Sequence, residues 1–223
     1  MDRVPRPRIK ICCIANLGEA KLAIRYGAAA LGFVSPMPSG PGVISEEQIA
    51  HIVAQVPPPI ATFLLTSRQT SAAIIAQHQV CRTNTIQICD RLGPDALRDL
   101  KRALPGIALV PVIHVVGPES IEEALAVAPQ ASAILLDSGR PALAIKELGG
   151  TGRKHDWALS RQIRERIDVP LFLAGGLNSS NVRQAIDEVG PFGLDICTGV
   201  RTNGELDENK LAALFAALET AQL

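Results

Sequence analysis

Eight short apolar runs alternate with segments of helical periodicity along the 223-residue chain, and this alternation restricts the fold more than any other feature. The runs are continuously apolar, as strands are when helices cover both faces of a parallel sheet. Eight strand–helix units in a chain of this length predict an α/β fold, a single (β/α)8 TIM barrel. A doubly wound open sheet is the alternative, because the order of strands cannot be read from the sequence. The predicted strands are IKICCI (9–14), ALGFV (30–34), IATFLL (60–65), NTIQI (84–88), ALVPVI (108–113), SAILLD (132–137), PLFLA (170–174) and GLDIC (193–197).

Helical spacing of apolar residues predicts a helix after each of these strands. No linker, low-complexity tract or second zone of composition interrupts the pattern, so one domain over residues 1–223 is expected. The predicted helices lie in LGEAKLAIRYG, EEQIAHIVAQV, SAAIIAQHQ, PDALRDLKRAL, SIEEALAVA, WALSRQIRERI, NVRQAIDEV and ENKLAALFAALETA.

Charge and composition indicate a globular protein without a nucleic-acid partner. Basic and acidic side chains balance at 22 each, and 47% of the residues are hydrophobic, enough for a sizeable core. The N-terminal MDRVPRPR is basic and broken by proline, and no apolar run long enough for a signal peptide or membrane helix follows it. A cytoplasmic location and no membrane partner are therefore expected.

The cysteine pattern predicts reduced thiols. The chain has five cysteines, an odd number, with no Cys-x-x-Cys pair and no histidine nearby at metal-ligand spacing. This argues against a disulfide framework and against a structural zinc site.

Two adjacent cysteines end the first predicted strand, where a barrel places its reactive side chains. Side chains alternate along a strand, so Lys10 and Cys12 share one face and Cys13 lies on the other. If the lysine face is the interior, Cys12 points into the barrel mouth, where the nearby ammonium favours a thiolate that can act as a base. Cys13 would then pack under the first helix as a small apolar side chain. The alternative is that both cysteines are simply core residues.

Asp137 follows four apolar residues at the end of the sixth predicted strand. Poor solvation at the barrel mouth would raise the pKa of its carboxyl group, which suits a general acid. A helix cap or a loop anchor is the structural alternative. The connection from about Gly139 to Asp156 is longer than an ordinary one, which indicates a task of its own.

Glycine-rich turns cluster late in the chain, in GGTG (149–152), AGGLN (174–178) and CTGV (197–200). Glycines after the seventh and eighth strands let backbone N–H groups approach a phosphate, although glycines also serve ordinary turns. Together they predict a phosphorylated small substrate. Asn178 is predicted to cap the seventh helix.

A buried ion pair is predicted between Lys10 and Asp195. The eighth strand of a barrel closes against the first, so inward-facing charges on these two strands can pair. Its role would be mainly structural.

The motifs also resemble a known family, the phosphoribosylanthranilate isomerases of tryptophan biosynthesis. The matching stretches span nearly the whole chain, and the order and spacing of GGTG, FLAGGLN and the strand-eight glycine are specific. The resemblance implies an aldose–ketose isomerase that performs an Amadori rearrangement of N-(5-phosphoribosyl)anthranilate without cofactor or metal, as a monomer or homodimer. The matching stretches are KIC (10–12), GAAALGFV (27–34), LLDS (135–138), GGTGRKHDW (149–157), LFLAGGLNSSNV (171–182) and DICTGV (195–200).

The resemblance also implies roles for individual residues. Asp137 corresponds to the general acid that protonates the ribose ring oxygen, and Cys12 to the general base that removes the proton from C2′. The substrate-binding positions that carry over are Gly175, Gly176, Thr198 and Gly199 at the phosphate, and Gln87 after the fourth strand.

The sequence departs from the family pattern in four places. Cys13 stands where the family has glycine, and Gly42 where it has an arginine associated with the anthranilate carboxylate. Cys89 and Asp90 replace histidine and glycine, and Arg201 replaces a glutamate. Arg68, Arg91 or Arg201 could take over the carboxylate.

These departures leave other functions open. One is a divergent paralogue that isomerises another phosphoribosyl amine, and another is a non-catalytic barrel that binds a sugar phosphate. The presence of Cys12 and Asp137 argues against the second, since binding phosphate needs neither. A histidine-pathway isomerase is disfavoured because that relative has a carboxylate at the position of Cys12. A Schiff-base aldolase is disfavoured because no strand end presents a lysine.

Overall fold

The computed structural model describes residues 6–93, 95–139, 143, 146–150 and 152–219, and these form a closed barrel of eight parallel strands. The strands pair in chain order and the eighth pairs with the first, which confirms the predicted (β/α)8 barrel and excludes the open sheet. The strands are β1 (Arg8–Ile11), β2 (Ala30–Val34), β3 (Ala61–Thr66), β4 (Thr85–Ile88), β5 (Ala108–His114), β6 (Ile134–Asp137), β7 (Leu171–Leu173) and β8 (Gly193–Ile196).

A helix follows each strand and covers the outside of the barrel. Each helix begins and ends within three residues of its predicted segment. Of the residues predicted to be helical, Pro94, Thr220 and Ala221 lie outside the described part of the chain. The helices are α1 (Leu17–Arg25), α2 (Glu46–Val53), α3 (Ser71–Cys81), α4 (Ala96–Ala103), α5 (Glu119–Val127), α6 (Trp157–Arg166), α7 (Val182–Val189) and α8 (Glu208–Glu219).

Two short elements between β8 and α8 were not predicted. A 3-10 turn covers Thr198–Val200, and a two-stranded antiparallel ribbon pairs β9 (Arg201–Thr202) with β10 (Glu205–Leu206). Both follow β8, whose end carries the CTGV turn (197–200). Arg201 at the start of the ribbon hydrogen-bonds to the backbone just after β1.

The predicted N-cap of α7 is wrong by three residues. Asn181, not Asn178, precedes the helix. The side chain of Asn178 instead accepts a hydrogen bond from Ser180 N at 2.9 Å, which closes a separate turn before the helix begins.

Alternate side chains of each strand belong to different cores. They separate because successive side chains of a strand point to opposite faces. One core fills the barrel, and two others lie between strands and helices, the smaller of them between β4, β5, α3 and α4. Interior strand residues include Ala30, Phe63, Leu65, Val110, Leu135 and Phe172, whereas Ile9, Ile11, Leu31, Phe33, Leu64, Ile134, Leu136 and Leu194 pack against the helices.

The predicted buried ion pair is confirmed inside the barrel. Lys10 is fully buried, its Cα is in register with that of Asp195 across the β1–β8 pairing, and Nζ lies 2.8 Å from Asp195 Oδ2. The ammonium also lies 5.2 Å from the ring centroid of Phe63. Gly32 makes room for this arrangement, since a Cβ there would come within 3.0 Å of Nζ.

Among the helices of the described residues, none has both the length and the apolar content to cross a bilayer.

Removing one partner of the ion pair should cost more stability than removing both. Lys10→Met leaves the Asp195 carboxylate buried without its counter-charge, and we expect the free energy of unfolding to fall by roughly 3–5 kcal/mol. The double variant Lys10→Met/Asp195→Leu should recover most of that loss, because an apolar pair of similar size needs no compensation. Denaturant unfolding of both variants measures the difference. A single variant as stable as the unmodified protein would contradict a structural role for the pair.

Candidate active site

A cavity opens at the carboxyl ends of the strands. Most of the residues predicted to carry function line it, although they come from five different strand ends and lie far apart in sequence. Gly199 does not line the cavity. It lies in the 3-10 turn and packs closely against the carbonyl oxygen of Leu177. The predicted residues that line the cavity are Cys12, Gln87, Asp137, Gly175, Gly176 and Thr198.

Cys12 lies directly after β1, and its sulfur reaches the cavity above Lys10. The residue is buried, with 5% of its surface exposed. Interaction with the neighbouring Cys13 side chain lowers the pKa of Cys12, burial opposes this effect, and the Lys10 ammonium lowers the pKa further. The prediction that the lysine face is the interior is confirmed, and the thiol sits where a thiolate is favoured.

The predicted position of Cys13 is wrong, because this side chain also lines the cavity. The alternation of a strand no longer applies there, since β1 ends at Ile11 and Cys13 has a φ of +64°. The left-handed backbone turns its side chain back toward the barrel mouth, and it packs in the interior core. The glycine that the resembled family has at this position was the signal for such a turn.

Asp137 ends β6, opposite His114 at the end of β5. Burial raises the pKa of its carboxyl group, while a hydrogen bond from Ser138 N at 2.7 Å and the nearby His114 oppose the rise. The predicted direction is confirmed. Gly149 from the following loop approaches Asp137 so closely that a Cβ there would collide with Oδ2.

A cradle of backbone forms after β7. Gly175 and Gly176 have φ values of +87° and +65°, and a Cβ at position 176 would lie 2.8 Å from the carbonyl oxygen of Gly152. In the described part of the chain, the N–H groups of Gly175 and Gly176 have no protein acceptor. Thr198 lines the same side of the cavity from the end of β8. This arrangement can bind an oxyanion such as a phosphate. Thr151 of the GGTG motif lies outside the described residues.

Two loops meet over the cavity. The loop after β2 contributes Ser39, whose hydroxyl donates to the carbonyl of Lys146 at 2.5 Å. The loop after β6 is held from the other side by an ion pair of 2.6 Å between Lys146 and Asp90. Pro41 and Gly150 are packed so closely that a Cβ on the glycine would lie 2.7 Å from Pro41 Cδ. The long connection predicted to have a task therefore forms part of the cavity wall.

Asp195 also lines the cavity, although the sequence indicated mainly a structural role. Its Oδ2 pairs with Lys10, and its Oδ1 is buried without a hydrogen-bond partner among the described residues. Gln87 Oε1 is likewise buried and has no hydrogen-bond partner among the described residues. Both oxygens are available to accept hydrogen bonds from a bound molecule. The sequence signal that Asp195 faces the barrel interior was its predicted pairing with the inward-facing Lys10.

Gly42 has no room for a side chain. Its φ is +77°, and a Cβ would lie 2.5 Å from the Cβ of Cys13. The three arginines considered as substitutes at the sequence level, all among the described residues, do not line the cavity. They are held in ion pairs: Arg68 with Glu46 at 2.9 Å, Arg91 with Glu123 at 3.4 Å and Arg201 with Glu19 at 3.0 Å.

Arg201 instead holds the turn after β1. Its Nη2 donates to the carbonyl oxygens of Cys12 and Cys13 at 3.0 and 2.6 Å, and its Nη1 pairs with Glu19. The guanidinium is buried, and its pKa stays above the ordinary value because the contacts with Glu19 outweigh the effect of burial. Arg201 therefore fixes the backbone that carries both cysteines.

The five cysteines are free thiols. In the part of the chain that the structure describes, no cluster of three or more His, Cys, Asp or Glu side chains is arranged to hold a metal ion.

Comparison with known families finds one family model that matches residues 9–217, described as N-(5'-phosphoribosyl)anthranilate (PRA) isomerase. A protein of this name from Methanocella arvoryzae is 31% identical over 208 residues, which cover 93% of this chain and 95% of the relative. Its namesake from Methanothrix thermoacetophila is 30% identical over 215 residues, with coverage of 96% and 99%.

Solved structures that resemble this chain are also phosphoribosyl anthranilate isomerases. Phosphoribosyl anthranilate isomerase from Thermus thermophilus superimposes with a TM-score of 0.82 at 27% identity, covering 96% of this chain and 100% of the other. The enzyme from Thermotoga maritima gives 0.82 at 29% identity, with coverage of 96% and 99%. A phosphoribosyl anthranilate isomerase in complex with reduced 1-(o-carboxyphenylamino)-1-deoxyribulose 5-phosphate gives 0.80 at 27% identity, with the same coverage.

Adding a methyl group to the glycine cradle should weaken phosphate binding. In Gly176→Ala the new Cβ meets the Gly152 carbonyl, and the left-handed backbone disfavours alanine, so the cradle has to shift. We expect the affinity for inorganic phosphate to fall about tenfold or more, measured by calorimetry.

Gly106→Ala is the matched control. Gly106 also has a positive φ, of +86°, but a Cβ at this position would have no atom within 4 Å, and the residue is far from the cavity in the α4–β5 connection. The variant should lose stability while keeping its affinity for phosphate. Equal affinities in the two variants would count against the cradle.

Proposed function

The chain belongs to the N-(5'-phosphoribosyl)anthranilate isomerase family, and we propose that it catalyses the family's reaction with Cys12 as general base and Asp137 as general acid. It is an isomerase of tryptophan biosynthesis, an intramolecular oxidoreductase that converts an aldose derivative into a ketose derivative. Its substrate is a phosphorylated small molecule.

The observation that carries the proposal is that one cavity presents a thiol with a lowered pKa, a carboxyl group with a raised pKa and a glycine cradle. An Amadori rearrangement needs all three. It requires a proton donor at the sugar ring oxygen, a proton acceptor at C2′, and a fixed anchor for the phosphate that orients the sugar between them.

The first step of the proposed mechanism uses the carboxyl group of Asp137. Because burial raises its pKa, this group retains its proton at a higher pH than an exposed aspartate. It protonates the ribose ring oxygen, the bond from that oxygen to C1′ breaks, and the amine nitrogen donates its lone pair to form a Schiff base. The ring opens without releasing any part of the substrate.

The second step uses the thiolate of Cys12. It removes the proton from C2′, and the electrons of that C–H bond neutralise the positively charged Schiff base to give an enolamine. Tautomerisation of the enolamine then yields 1-(2-carboxyphenylamino)-1-deoxyribulose 5-phosphate. Lys10 supports the step because its ammonium favours the charged form of Cys12.

Substrate binding is assigned to the remaining groups of the cavity. The phosphate takes the free N–H groups of Gly175 and Gly176, together with Thr198 and the turn at Gly199. The unpartnered oxygens of Gln87 and Asp195 accept hydrogen bonds from the sugar hydroxyl or amine groups.

The proposal extends to the state in which the protein works. We propose a monomer or homodimer in the cytoplasm, with no nucleic acid or membrane as partner. The balanced charge of the chain supports the absence of a nucleic-acid partner. One similar structure is that of monomers generated from dimeric phosphoribosylanthranilate isomerase of Thermotoga maritima.

Removing either proton-transfer group should abolish turnover while phosphate binding persists. General acid–base catalysis contributes about 10²–10⁴-fold, so Cys12→Ala and Asp137→Asn should each lower kcat by at least about 10²-fold. Phosphoribosylanthranilate is generated in situ, and loss of its fluorescence measures turnover. Phosphate affinity, measured by calorimetry, should change little because neither side chain belongs to the cradle.

Cys81→Ser and Asp99→Asn are the matched controls. Cys81 is a buried thiol on α3 and Asp99 a partly exposed carboxylate on α4, and neither lines the cavity. Both controls should turn over at the rate of the unmodified protein. Full activity in either site variant would show that the acid or the base is assigned to the wrong residue.

The pH dependence of kcat/KM should be bell-shaped. Activity rises with pH as Cys12 loses its proton, and this limb should lie below the ordinary thiol range near 8.5 because the pKa of Cys12 is lowered. Activity falls at higher pH as Asp137 loses its proton, and this limb should lie above the ordinary aspartate range near 3.9. A profile that rises steadily up to about pH 9 would contradict the role of Asp137.

A further inference from the structure

Arg201 and Glu19 form a buried ion pair behind the turn that carries Cys12. Arg201 begins the ribbon after β8, and Glu19 lies in the first turn of α1. Two hydrogen bonds join the side chains, from Nη1 to Oε1 at 3.0 Å and from Nη2 to Oε2 at 3.1 Å. A bidentate pair of this kind fixes the orientation of both planar groups.

The guanidinium of Arg201 also holds the backbone on both of its sides. Nη2 donates to the carbonyl oxygens of Cys12 and Cys13 at 3.0 and 2.6 Å, and Nη1 donates to that of Gly204 at 2.9 Å. Cys13 has a φ of +64°, which is unfavourable for a residue with a Cβ and persists only where the surroundings impose it. The two hydrogen bonds from Nη2 help to impose it.

The carboxylate of Glu19 binds the same two segments. Oε2 accepts a hydrogen bond from the N–H of Ala15 at 3.0 Å, and Oε1 accepts one from the N–H of Leu206 at 2.9 Å. The pair therefore joins the backbone just after β1 (12–15) to the ribbon (201–206) through hydrogen bonds from both of its members.

The ribbon is a firm support for this link. Asn203 and Gly204 at its turn both have positive φ values, +52° and +86°, as the tight turns of β-hairpins do. Lys210 on α8 donates to the carbonyl of Arg201 at 2.6 Å. The ribbon directly follows the 3-10 turn that begins with Thr198, which lines the cavity beside the glycine cradle.

The proposed reaction gives this link a task. The phosphate lies at one end of the sugar, and Cys12 has to reach the proton at C2′, several bonds away. With the phosphate anchored, the position of the sulfur relative to that anchor decides whether the reacting atoms meet. A misplacement of about 1 Å can lower the rate about a hundredfold.

We propose that Arg201, held by Glu19, is a positioning residue for the reaction: it fixes the turn after β1 against the ribbon after β8 and so sets the distance between Cys12 and the phosphate site. The inference rests on the proposed function, in which Cys12 removes the C2′ proton. Neither Arg201 nor Glu19 lines the cavity, so both act through the backbone and not on the substrate.

The test compares Arg201→Lys with Arg201→Ala. Lysine keeps the positive charge, but its single ammonium cannot reproduce the planar fork that binds Glu19 and the backbone carbonyls together. We expect kcat to fall about tenfold or more in both variants, while KM and the affinity for inorganic phosphate change little. Turnover of phosphoribosylanthranilate is expressed per phosphate-binding site counted by calorimetry, so a loss of folded protein does not lower it.

Arg164→Lys is the matched control. Arg164 lies on α6, and its Nε also donates to a backbone carbonyl, that of Val189 at 3.2 Å, but it does not line the cavity or contact the turn after β1. The control should keep the kcat of the unmodified protein. An equal loss of kcat in this variant would overturn the proposal, because the effect would then not be specific to the turn.

Chemical rescue gives a second readout. Arg201→Ala leaves the Glu19 carboxylate and the carbonyl oxygens of the turn facing the space that the guanidinium occupied. Guanidinium chloride at millimolar concentrations, well below its denaturing range, should raise kcat per phosphate-binding site severalfold in this variant and leave the unmodified protein unchanged. Sodium chloride at the same ionic strength should rescue neither variant.

Three results would overturn the inference alone: full kcat in Arg201→Lys, a loss of phosphate affinity as large as the loss of kcat, or no rescue by guanidinium. The first would show that charge suffices, the second that the pair shapes the phosphate site, and the third that the bound guanidinium is not the cause. An unmodified protein that does not turn over phosphoribosylanthranilate would overturn the proposed function, and this inference with it.

Discussion

The ion pair between Lys10 and Asp195 is the constraint on which the barrel mouth depends. It joins the first and last strands of the barrel at 2.8 Å, in an interior where neither charge is stable alone. Because side chains alternate along β1, a buried Lys10 forces Cys12 to the same inner face, two residues nearer the mouth. The pair therefore does more than close the barrel. It determines which cysteine enters the cavity from the strand, and it places a cation beneath that thiol.

The turn after β1 shows how departures from a family pattern can depend on one another. Cys13 has a left-handed backbone conformation, and its Cβ occupies the space that a side chain at Gly42 would need. Arg201 donates hydrogen bonds to the carbonyl oxygens of the turn. Arg201 in turn needs Glu19, which lies on α1 and balances its buried charge. Taken separately, each residue looks like a loss of a family feature. Together they form a packed unit that holds Cys12 in place.

The chemistry of the cavity comes from opposite environments for two acidic groups. Cys12 lies above the Lys10 ammonium, which favours its charged form, whereas burial of Asp137 favours its neutral form. The proposed base and the proposed acid therefore lie at different strand ends around one barrel mouth. The loops after β2 and β6 meet above them and form part of the cavity wall.

Much of this protein was determined by its sequence alone. Continuous apolar runs predicted the parallel barrel, Lys10 and Asp195 predicted their own pairing, and strand ends predicted that Cys12, Asp137 and the glycines would meet, because period and register are local properties of a strand. The tertiary structure alone decided the orientation of Cys13, the lack of space at Gly42, the role of Arg201 and the position of Asp195 at the cavity wall. These depend on contacts between residues up to 189 positions apart, such as Arg201 with Cys12, and on a backbone that leaves the strand conformation. No local pattern encodes such contacts, since they exist only once the barrel has closed.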